Sequence, residues 1–210
     1  MGLAQEGIHS IKMRKLQANL LKLDLVKAYD KIDWGYLRLL LFHIGLDYGM
    51  VNWIMACVQN VSFSVLVNGA PTKFFQSQRG LRQGYPLSPL LFILVMDGLS
   101  RLIDREKHDR LIMGIKVSSN CLLTHVFFVD DVLLFGAASL DECAKFYEII
   151  SILCSATEMM ISTVKSIFIF AGECIEPAIE DLFSIDGSQL DNGFHYLGFY
   201  LKPNNYRQID

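Results

Sequence analysis

The stretch "FFVDDVLLF", residues 127 to 135, places two adjacent carboxylates inside an otherwise apolar segment. Burying an unpaired charge costs several kcal/mol, so Asp130 and Asp131 need either exposure to water or a cation. Adjacent side chains of a straight strand point to opposite faces, so the two carboxylates can converge only where the chain bends. We therefore predict a tight hairpin, with strands over 123–128 and 132–136 and the two aspartates between them.

An ordinary turn is the alternative interpretation, because aspartate is a common turn residue. The apolar flanks favour strands that emerge from a core. Two carboxylates within a few ångströms raise one another's pKa unless a cation lies between them. Magnesium prefers one or two carboxylates together with phosphate oxygens and water. The pair therefore predicts a divalent cation site completed by a carboxylate from elsewhere in the chain.

Asp24 is the candidate for that further carboxylate. The segment "NLLKLDL", residues 19 to 25, alternates leucines with Lys22 and Asp24, which predicts a strand with one apolar and one charged face. Asp30 and Asp33 are the rival candidates. Both lie in or near the start of the next predicted helix, where capping is the expected role.

Length and composition predict one folded domain over residues 1–210. The chain has 210 residues, 52% of them hydrophobic, which is enough for one sizeable core. No apolar run approaches the roughly 20 residues of a membrane-spanning helix, and the N-terminus lacks the pattern of a signal peptide. We therefore expect no membrane contact and an intracellular protein, in the nucleus or the cytoplasm, that is not secreted.

The charge and hydropathy of the chain suggest two kinds of partner. Residues 1–116 carry 15 Lys and Arg against 9 Asp and Glu, or +6, and residues 117–210 carry 4 against 13, or −9. A basic half is compatible with an anionic partner. The mean hydropathy of +0.32 is high for a soluble domain, so some apolar surface is expected to be covered by a protein partner. The five cysteines lack zinc-site spacing and are expected to be free thiols.

Hydrophobic periodicity predicts alternating helices and strands. Helices are predicted over 3–18, 33–45, 48–60, 87–107 and 139–156. Besides the strands already named, strands are predicted in a hairpin over 62–76 with Asn68-Gly69 as its turn, and near 114–118, 160–170 and 195–201. Because two of the connections are hairpins, the pattern favours an α+β fold, with an antiparallel or mixed sheet and helices on one face.

Several segments occur together in a characteristic order. They are "LKLDLVKAYDKIDWGYL" (21–37), "RGLRQGYPLSPLLFIL" (79–94), the "FVDD" segment within 127–135, a "TVKS" region within 158–166, and "YLGFYL" (196–201). This set resembles the palm motifs of reverse transcriptases, in particular those of the non-LTR, LINE-type retrotransposons abundant in plant genomes. The resemblance covers nearly the whole chain. It implies a polymerase palm, with a ferredoxin-like antiparallel sheet backed by helices.

The resemblance also implies an RNA-directed DNA polymerase site. Asp24, Asp130 and Asp131 would hold two magnesium ions, with manganese as a possible substitute, for attack of a primer 3′-hydroxyl on a deoxynucleoside triphosphate. Lys165 would protonate or neutralise the departing pyrophosphate. The other implied partners are an RNA template and a DNA primer. A solvated surface lysine is the alternative for Lys165.

The resemblance assigns further residues to the nucleotide and to the template and primer. Leu25, through its backbone carbonyl, Tyr29 as a steric gate against ribose, Gln83 and Gly84 would bind the nucleotide. Arg79, Arg82, Tyr196, Leu197 and Gly198 would contact template or primer. For Tyr29 the alternative is a core aromatic, for the two arginines a solvated surface charge, and for Tyr196 a buried strand end.

The chain departs from the family pattern in a few places. Tyr85 stands where the family usually has cysteine, and Val129 stands where it usually has alanine. The basic fingers residues of the family would precede residue 1, and a thumb would follow residue 210. We therefore expect a truncated copy, fingers and thumb largely missing, with weak or no activity alone. The alternative function is a non-catalytic palm-fold remnant that binds nucleic acid or a partner protein.

Overall fold

A computed structural model of the chain describes residues 2–119, 121–172 and 182–203. The helices are α1 (Gly2–Met13), α2 (Ala28–Lys31), α3 (Trp34–His43), α4 (Tyr48–Gln59), α5 (Ser88–His108) and α6 (Leu140–Thr157), with a 3-10 helix at Leu190–Asn192. The strands are β1 (Ala18–Asp24), β2 (Ser62–Phe63), β3 (Leu66–Val67), β4 (Ala70–Pro71), β5 (Phe75–Gln76), β6 (Ile115–Lys116), β7 (Leu122–Leu123), β8 (His125–Phe128), β9 (Asp131–Ala137), β10 (Ile167–Ala171), β11 (Gly187–Gln189), β12 (Phe194–Tyr196) and β13 (Phe199–Leu201). In the described part of the chain, none of these helices is long and apolar enough to cross a bilayer.

The chain divides into two compact units. The first contains Met1–Val26, Leu99–Ile152 and Ile161–Asp210, and the second contains Lys27–Gly98 together with Leu153–Met160. The prediction of a single domain over 1–210 stays a prediction.

The first unit is built on a five-stranded sheet in the order β11-β10-β1-β9-β8. All neighbours pair antiparallel except β10 and β11, which are parallel. The alternation in "NLLKLDL" is realised in β1, whose leucines are buried while Lys22 and Asp24 are only partly buried. An α+β fold with a largely antiparallel sheet is thereby confirmed.

One face of this sheet carries a continuous apolar core. Leu20 on β1 and Phe135 on β9 lie opposite one another and are both fully buried. They pack in one cluster with Ile8 of α1 and with Tyr196 of β12. Lys22 and Asp24 lie on this same face, since side chains two apart on a strand share a face. The charged end of β1 therefore continues directly from a packed core.

The predicted hairpin around the two aspartates is present. Strands β8 and β9 pair antiparallel, and Phe128 opposite Asp131 is the pair next to the turn. Val129 and Asp130 therefore form a two-residue turn. Val129 has φ +55°, a left-handed conformation that is rare for a β-branched residue. Two-residue turns with a positive φ at the first position match the right-handed twist of the strands that they join. The bend moves Asp130 into the turn and leaves Asp131 on the strand.

The second unit contains α2 to α4, two short strand pairs and the beginning of α5. The predicted hairpin over 62–76 is confirmed, with Asn68 and Gly69 at φ +50° and +81° in its turn. Asp33 caps α3, its side chain accepting from the backbone N–H of Tyr36 at 2.7 Å, as expected. The capping expectation is wrong for Asp30, which lies inside α2, where Lys27 is the N-cap residue.

Three predicted segments differ from the structure. The first helix ends at Met13 rather than 18, because Lys15 adopts φ +52° and the chain reverses into β1. The strand expected near 160–170 begins only at Ile167. The preceding residues form a turn in which the N–H of Ser166 donates to the carbonyl of Ser162 at 2.9 Å. The segment 195–201 is a hairpin of β12 and β13 rather than one strand.

Candidate active site

The end of β1 brings Asp24 directly opposite Asp131 of β9. Directly opposite residues of an antiparallel pair have Cβ atoms about 5 Å apart and project from the same face. Their side chains are 23% and 24% exposed. Asp130 is exposed in the adjoining turn. Two carboxylates that are far apart in the sequence therefore face one another at the end of β1, with a third in the adjoining turn.

The backbone of Asp24 is held on both sides by the segment that precedes β10. Its N–H donates to the hydroxyl oxygen of Ser166 at 3.0 Å, and its carbonyl accepts from the N–H of Ser162 at 2.9 Å. The next residue, Leu25, forms an isolated antiparallel bridge with Ile161. Ser166 could not be identified from the sequence, because a serine in the short polar segment "TVKS" has no local signal that distinguishes it from a turn residue.

Two lysines approach the opposed carboxylates. The Nζ atom of Lys165 lies 3.9 Å from Oδ1 of Asp24, so the predicted lysine does reach the site. The Nζ atom of Lys22 lies 3.9 Å from Oδ1 of Asp131. Lys22 is predicted on the charged face of β1, without a role in the site. Its position two residues before Asp24 is the signal that could have identified it.

The surroundings of Asp131 favour its neutral form. Burial raises the pKa of Asp131, and the charges of Asp130 and Asp24 add to that rise, whereas Lys22 and Lys165 oppose it. A carboxyl group in this setting gains from a nearby cation. A positive charge beside Asp131 is therefore favourable.

The donor set fits a divalent cation that is held only partly by protein. Within residues 2–119, 121–172 and 182–203, no group of three His, Cys, Asp or Glu side chains converges closely enough to hold an ion by itself. Asp24 and Asp131 supply the one or two carboxylates that magnesium prefers, with water and phosphate oxygens as further ligands. Asp24 and Asp131 can therefore bind a cation whose remaining ligands are phosphate oxygens and water.

The hairpin of β12 and β13 contributes a buried tyrosine next to the cluster. Tyr196 is 1% exposed, and its hydroxyl has no hydrogen-bond partner in the described part of the chain. Burial, and then the charge of Asp131, raises the pKa of Tyr196 to about 12. The side chain matches the buried-strand-end alternative, whereas Leu197 and Gly198 occupy the turn at φ +52° and +79°. Primer contact at this hairpin stays a prediction, in which Leu197 and Gly198 of the turn would make the contact.

In the second unit, the predicted nucleotide loop lines a cavity of about 630 Å³. Arg79, Arg82 and Gln83 line it and are exposed, as is the neighbouring Gly84. The Arg79 guanidinium forms an ion pair with the Glu158 carboxylate. The loop thus presents polar and cationic groups at a concave surface.

Two aromatic residues of this unit are packed rather than free. The ring of Tyr29 stacks on Phe92 with centroids 4.4 Å apart and planes within 6°. The backbone carbonyl of Tyr29 accepts from the N–H of Leu81 at 2.7 Å, which ties the tyrosine to the loop. The guanidinium of Arg82 lies 4.4 Å from the centroid of the Tyr85 ring. The steric-gate role of Tyr29 stays a prediction.

Comparison with known proteins gives the chain its family. A sequence model described as "Reverse transcriptase (RNA-dependent DNA polymerase)" matches residues 2–201. The chain belongs to the reverse transcriptase family. Reverse transcriptases as a family use divalent metal ions, which agrees with the carboxylate cluster.

Two relatives of this reverse transcriptase domain are Pol polyproteins of R2 retrotransposable elements. It is 31% identical over 137 residues to a Pol polyprotein from a type-1 R2 retrotransposable element of Popillia japonica, a match covering 63% of this chain and 22% of that protein. It is 30% identical over 149 residues to a Pol polyprotein from a type-2 R2 element of Drosophila melanogaster, covering 68% and 13%. The chain is a reverse transcriptase domain of the non-LTR retrotransposon type. It spans less than a quarter of the length of these relatives.

A solved structure supports the fold. The telomerase of Candida tropicalis, in complex with a fragment of telomeric RNA, superposes with a TM-score of 0.64 at 13% identity, covering 96% of this chain and 31% of that one. At this identity the likeness concerns the fold alone. It agrees with the expected reverse transcriptase palm.

Proposed function

We propose that this domain is the palm of an RNA-directed DNA polymerase that extends a primer by metal-assisted phosphoryl transfer. The observation that carries the proposal is the placement of Asp24 opposite Asp131, with Asp130 in the adjoining turn. That placement gives a phosphate-bound cation two carboxylates on one face of the sheet. Membership of the reverse transcriptase family supports the same activity.

The position of each residue in the cluster suggests its role in catalysis. Asp24 and Asp131 would bind the cations, and Asp130, exposed in the turn, would complete the ligand set. Bound divalent ions would lower the pKa of the primer hydroxyl and neutralise charge on the leaving pyrophosphate. Lys165, whose side chain is 71% exposed, is free to move from Asp24 to a departing phosphate. Two magnesium ions, with manganese as a substitute, are the proposed cofactors.

The proposed partners are an RNA template, a DNA primer and deoxynucleoside triphosphates. The exposed Arg82 and Gln83 of the loop in the second unit support contact with nucleic acid or nucleotide, because guanidinium and amide groups bind phosphates and base edges. Exposed apolar side chains in this unit, among them Tyr48, Trp53 and Phe74, support a protein partner. An intracellular location and a plant origin stay predictions.

Primer extension tests the proposal. The purified chain is incubated with a primed RNA template, deoxynucleotides and magnesium, and the products are resolved by length. We expect extension by the wild type, none by Asp130→Asn, and unchanged extension by Asp141→Asn, which neutralises an exposed aspartate in the first turn of α6. Equal extension by all three proteins would contradict the assignment. Salt-dependent RNA binding by wild type and Asp130→Asn alike, with no extension by either, would support the non-catalytic remnant instead.

A further inference from the structure

Lys22 occupies an unusual place for a lysine. It lies on β1, in the middle of the sheet, paired with Leu133 of β9 on one side and with Ile167 of β10 on the other. Its side chain is only 14% exposed. Lysine is rarely this buried without a partner, because its charge loses hydration. The position therefore needs an electrostatic explanation.

The contacts of the ammonium group supply that explanation. The Nζ atom of Lys22 donates to the backbone carbonyl of Lys165 at 3.4 Å and lies 3.9 Å from Oδ1 of Asp131. Lysine at this position is diagonal to Asp131 across the strand pair, within reach of a long side chain. A backbone acceptor and a carboxylate thus hold the same ammonium group at the edge of the cluster.

The two lysines of the site differ in how firmly they are held. Lys165 is mostly exposed, whereas Lys22 is mostly enclosed and anchored to a backbone carbonyl. Three carboxylates and two ammonium groups leave the cluster with a formal charge of −1. When a ligand enters, Lys165 can withdraw into solvent, but Lys22 stays beside Asp131.

We propose that Lys22 is the resident counter-ion of the carboxylate cluster, which keeps Asp131 neutralised without metal and weakens the binding of divalent cations. The inference rests on the proposed function, because it concerns the same metal-binding carboxylates. A site weakened in this way binds free cations poorly. It fills when a triphosphate brings additional negative charge, so Lys22 couples metal binding to nucleotide binding.

Manganese binding to the full chain tests the inference without relying on catalysis. Free Mn²⁺ is measured by electron paramagnetic resonance during titration of wild type, Lys22→Gln, Lys22→Met and Lys22→Arg. Lys116→Gln is the matched control, since it removes the same charge from an exposed position in the first unit. Removing a unit charge this close to a divalent ion is expected to tighten Mn²⁺ binding on the order of tenfold. Lys22→Arg and Lys116→Gln should stay within about twofold of wild type.

Thermal unfolding gives a second readout. Without metal, Lys22→Gln and Lys22→Met should melt below wild type, because the carboxylates lose their counter-ion. Added Mn²⁺ should raise the melting temperature of these variants more than that of wild type. A residue that only stabilised the fold would lower the melting temperature and leave the Mn²⁺ affinity unchanged.

The outcomes separate this inference from the proposed function. Equal or weaker Mn²⁺ binding by both neutral variants overturns the counter-ion role, as does the absence of binding in every protein. If the wild type nevertheless extends primers, the polymerase proposal stands. Conversely, tighter binding by the neutral variants of a chain that extends no primer supports the counter-ion role and refutes the polymerase activity.

Discussion

Replacing Gly80 with alanine should destabilise the second unit far more than the same change at Gly84. Both glycines lie in the loop before α5 and have almost the same left-handed conformation, with φ of +83° and +79°. They differ in their surroundings. A Cβ atom at Gly80 would lie 2.6 Å from the backbone oxygen of Asp30 and 2.9 Å from its Cα, whereas a Cβ at Gly84 meets nothing within 4 Å.

The magnitudes follow from this difference. Alanine in a left-handed conformation costs about 1–2 kcal/mol, offset by about 0.5 kcal/mol because the unfolded chain loses freedom. Gly84→Ala should therefore cost about 1 kcal/mol. At Gly80 the clash with fixed backbone adds about 1–3 kcal/mol. Relief of that clash would stretch two hydrogen bonds of 2.8 Å, from the Gly80 N–H to the Ile32 carbonyl and from Trp34 Nε1 to the Gly80 carbonyl. We therefore expect Gly80→Ala to lower the free energy of unfolding by about 4 kcal/mol in total.

Urea unfolding followed by tryptophan fluorescence measures the difference. The two tryptophans, Trp34 and Trp53, both belong to the second unit, so the signal reports on the unit that carries the substitutions. With a slope of about 2 kcal/mol per M, the midpoint should fall by about 2 M for Gly80→Ala and about 0.5 M for Gly84→Ala. Gly69→Ala, at φ +81° with open space around it, is a control that should resemble Gly84→Ala. Equal shifts at Gly80 and Gly84 would refute the close approach to Asp30.

Three further predictions concern the first unit. Burial raises the pKa of Asp131 above its unfolded value, so the free energy of unfolding should decrease as pH rises from about 4 through the folded pKa. Asp131→Asn should therefore be more stable than wild type at pH 7 and equal to it at pH 3. A difference in the free energy of unfolding by urea that stays constant with pH would contradict this. Tyr196→Phe removes an unpaired buried hydroxyl and should raise the free energy of unfolding by about 1 kcal/mol, whereas a loss would reveal a partner for that hydroxyl. Glu142 accepts three backbone N–H groups at 3.0–3.1 Å, so Glu142→Gln, which turns an amide donor toward one of them, should cost about 1–3 kcal/mol in the same assay.

Local patterns of the sequence predict the elements that carry the carboxylates. The leucine alternation of 19–25 identifies β1 and the face of Asp24, and the apolar flanks of Asp130 and Asp131 identify the hairpin. Both follow from the two-residue period of a strand and from turn chemistry, which act within a few residues. The family motifs then relate these local features to one another across the chain.

Long-range pairing could not be predicted in the same way. Glu142 looks in the sequence like an acidic residue in the first turn of α6, yet it is buried and accepts from Met113 and Gly114. Ser166 likewise acquires its role only because β10 pairs with β1. Hydrogen-bond partners about 30 or 140 residues away produce no periodic pattern in the sequence. The roles of Glu142 and Ser166 therefore depend on tertiary contacts.

The opposition of Asp24 and Asp131 has a consequence for how such a site is lost. The two carboxylates meet because β1 and β9 are aligned residue for residue, and strand side chains alternate in direction. A single residue inserted between Asp131 and the middle of β9 would turn that carboxylate to the opposite face while every acidic residue remained in the chain. Small in-frame insertions would therefore silence the site as completely as loss of an aspartate, and a motif search would still find it intact.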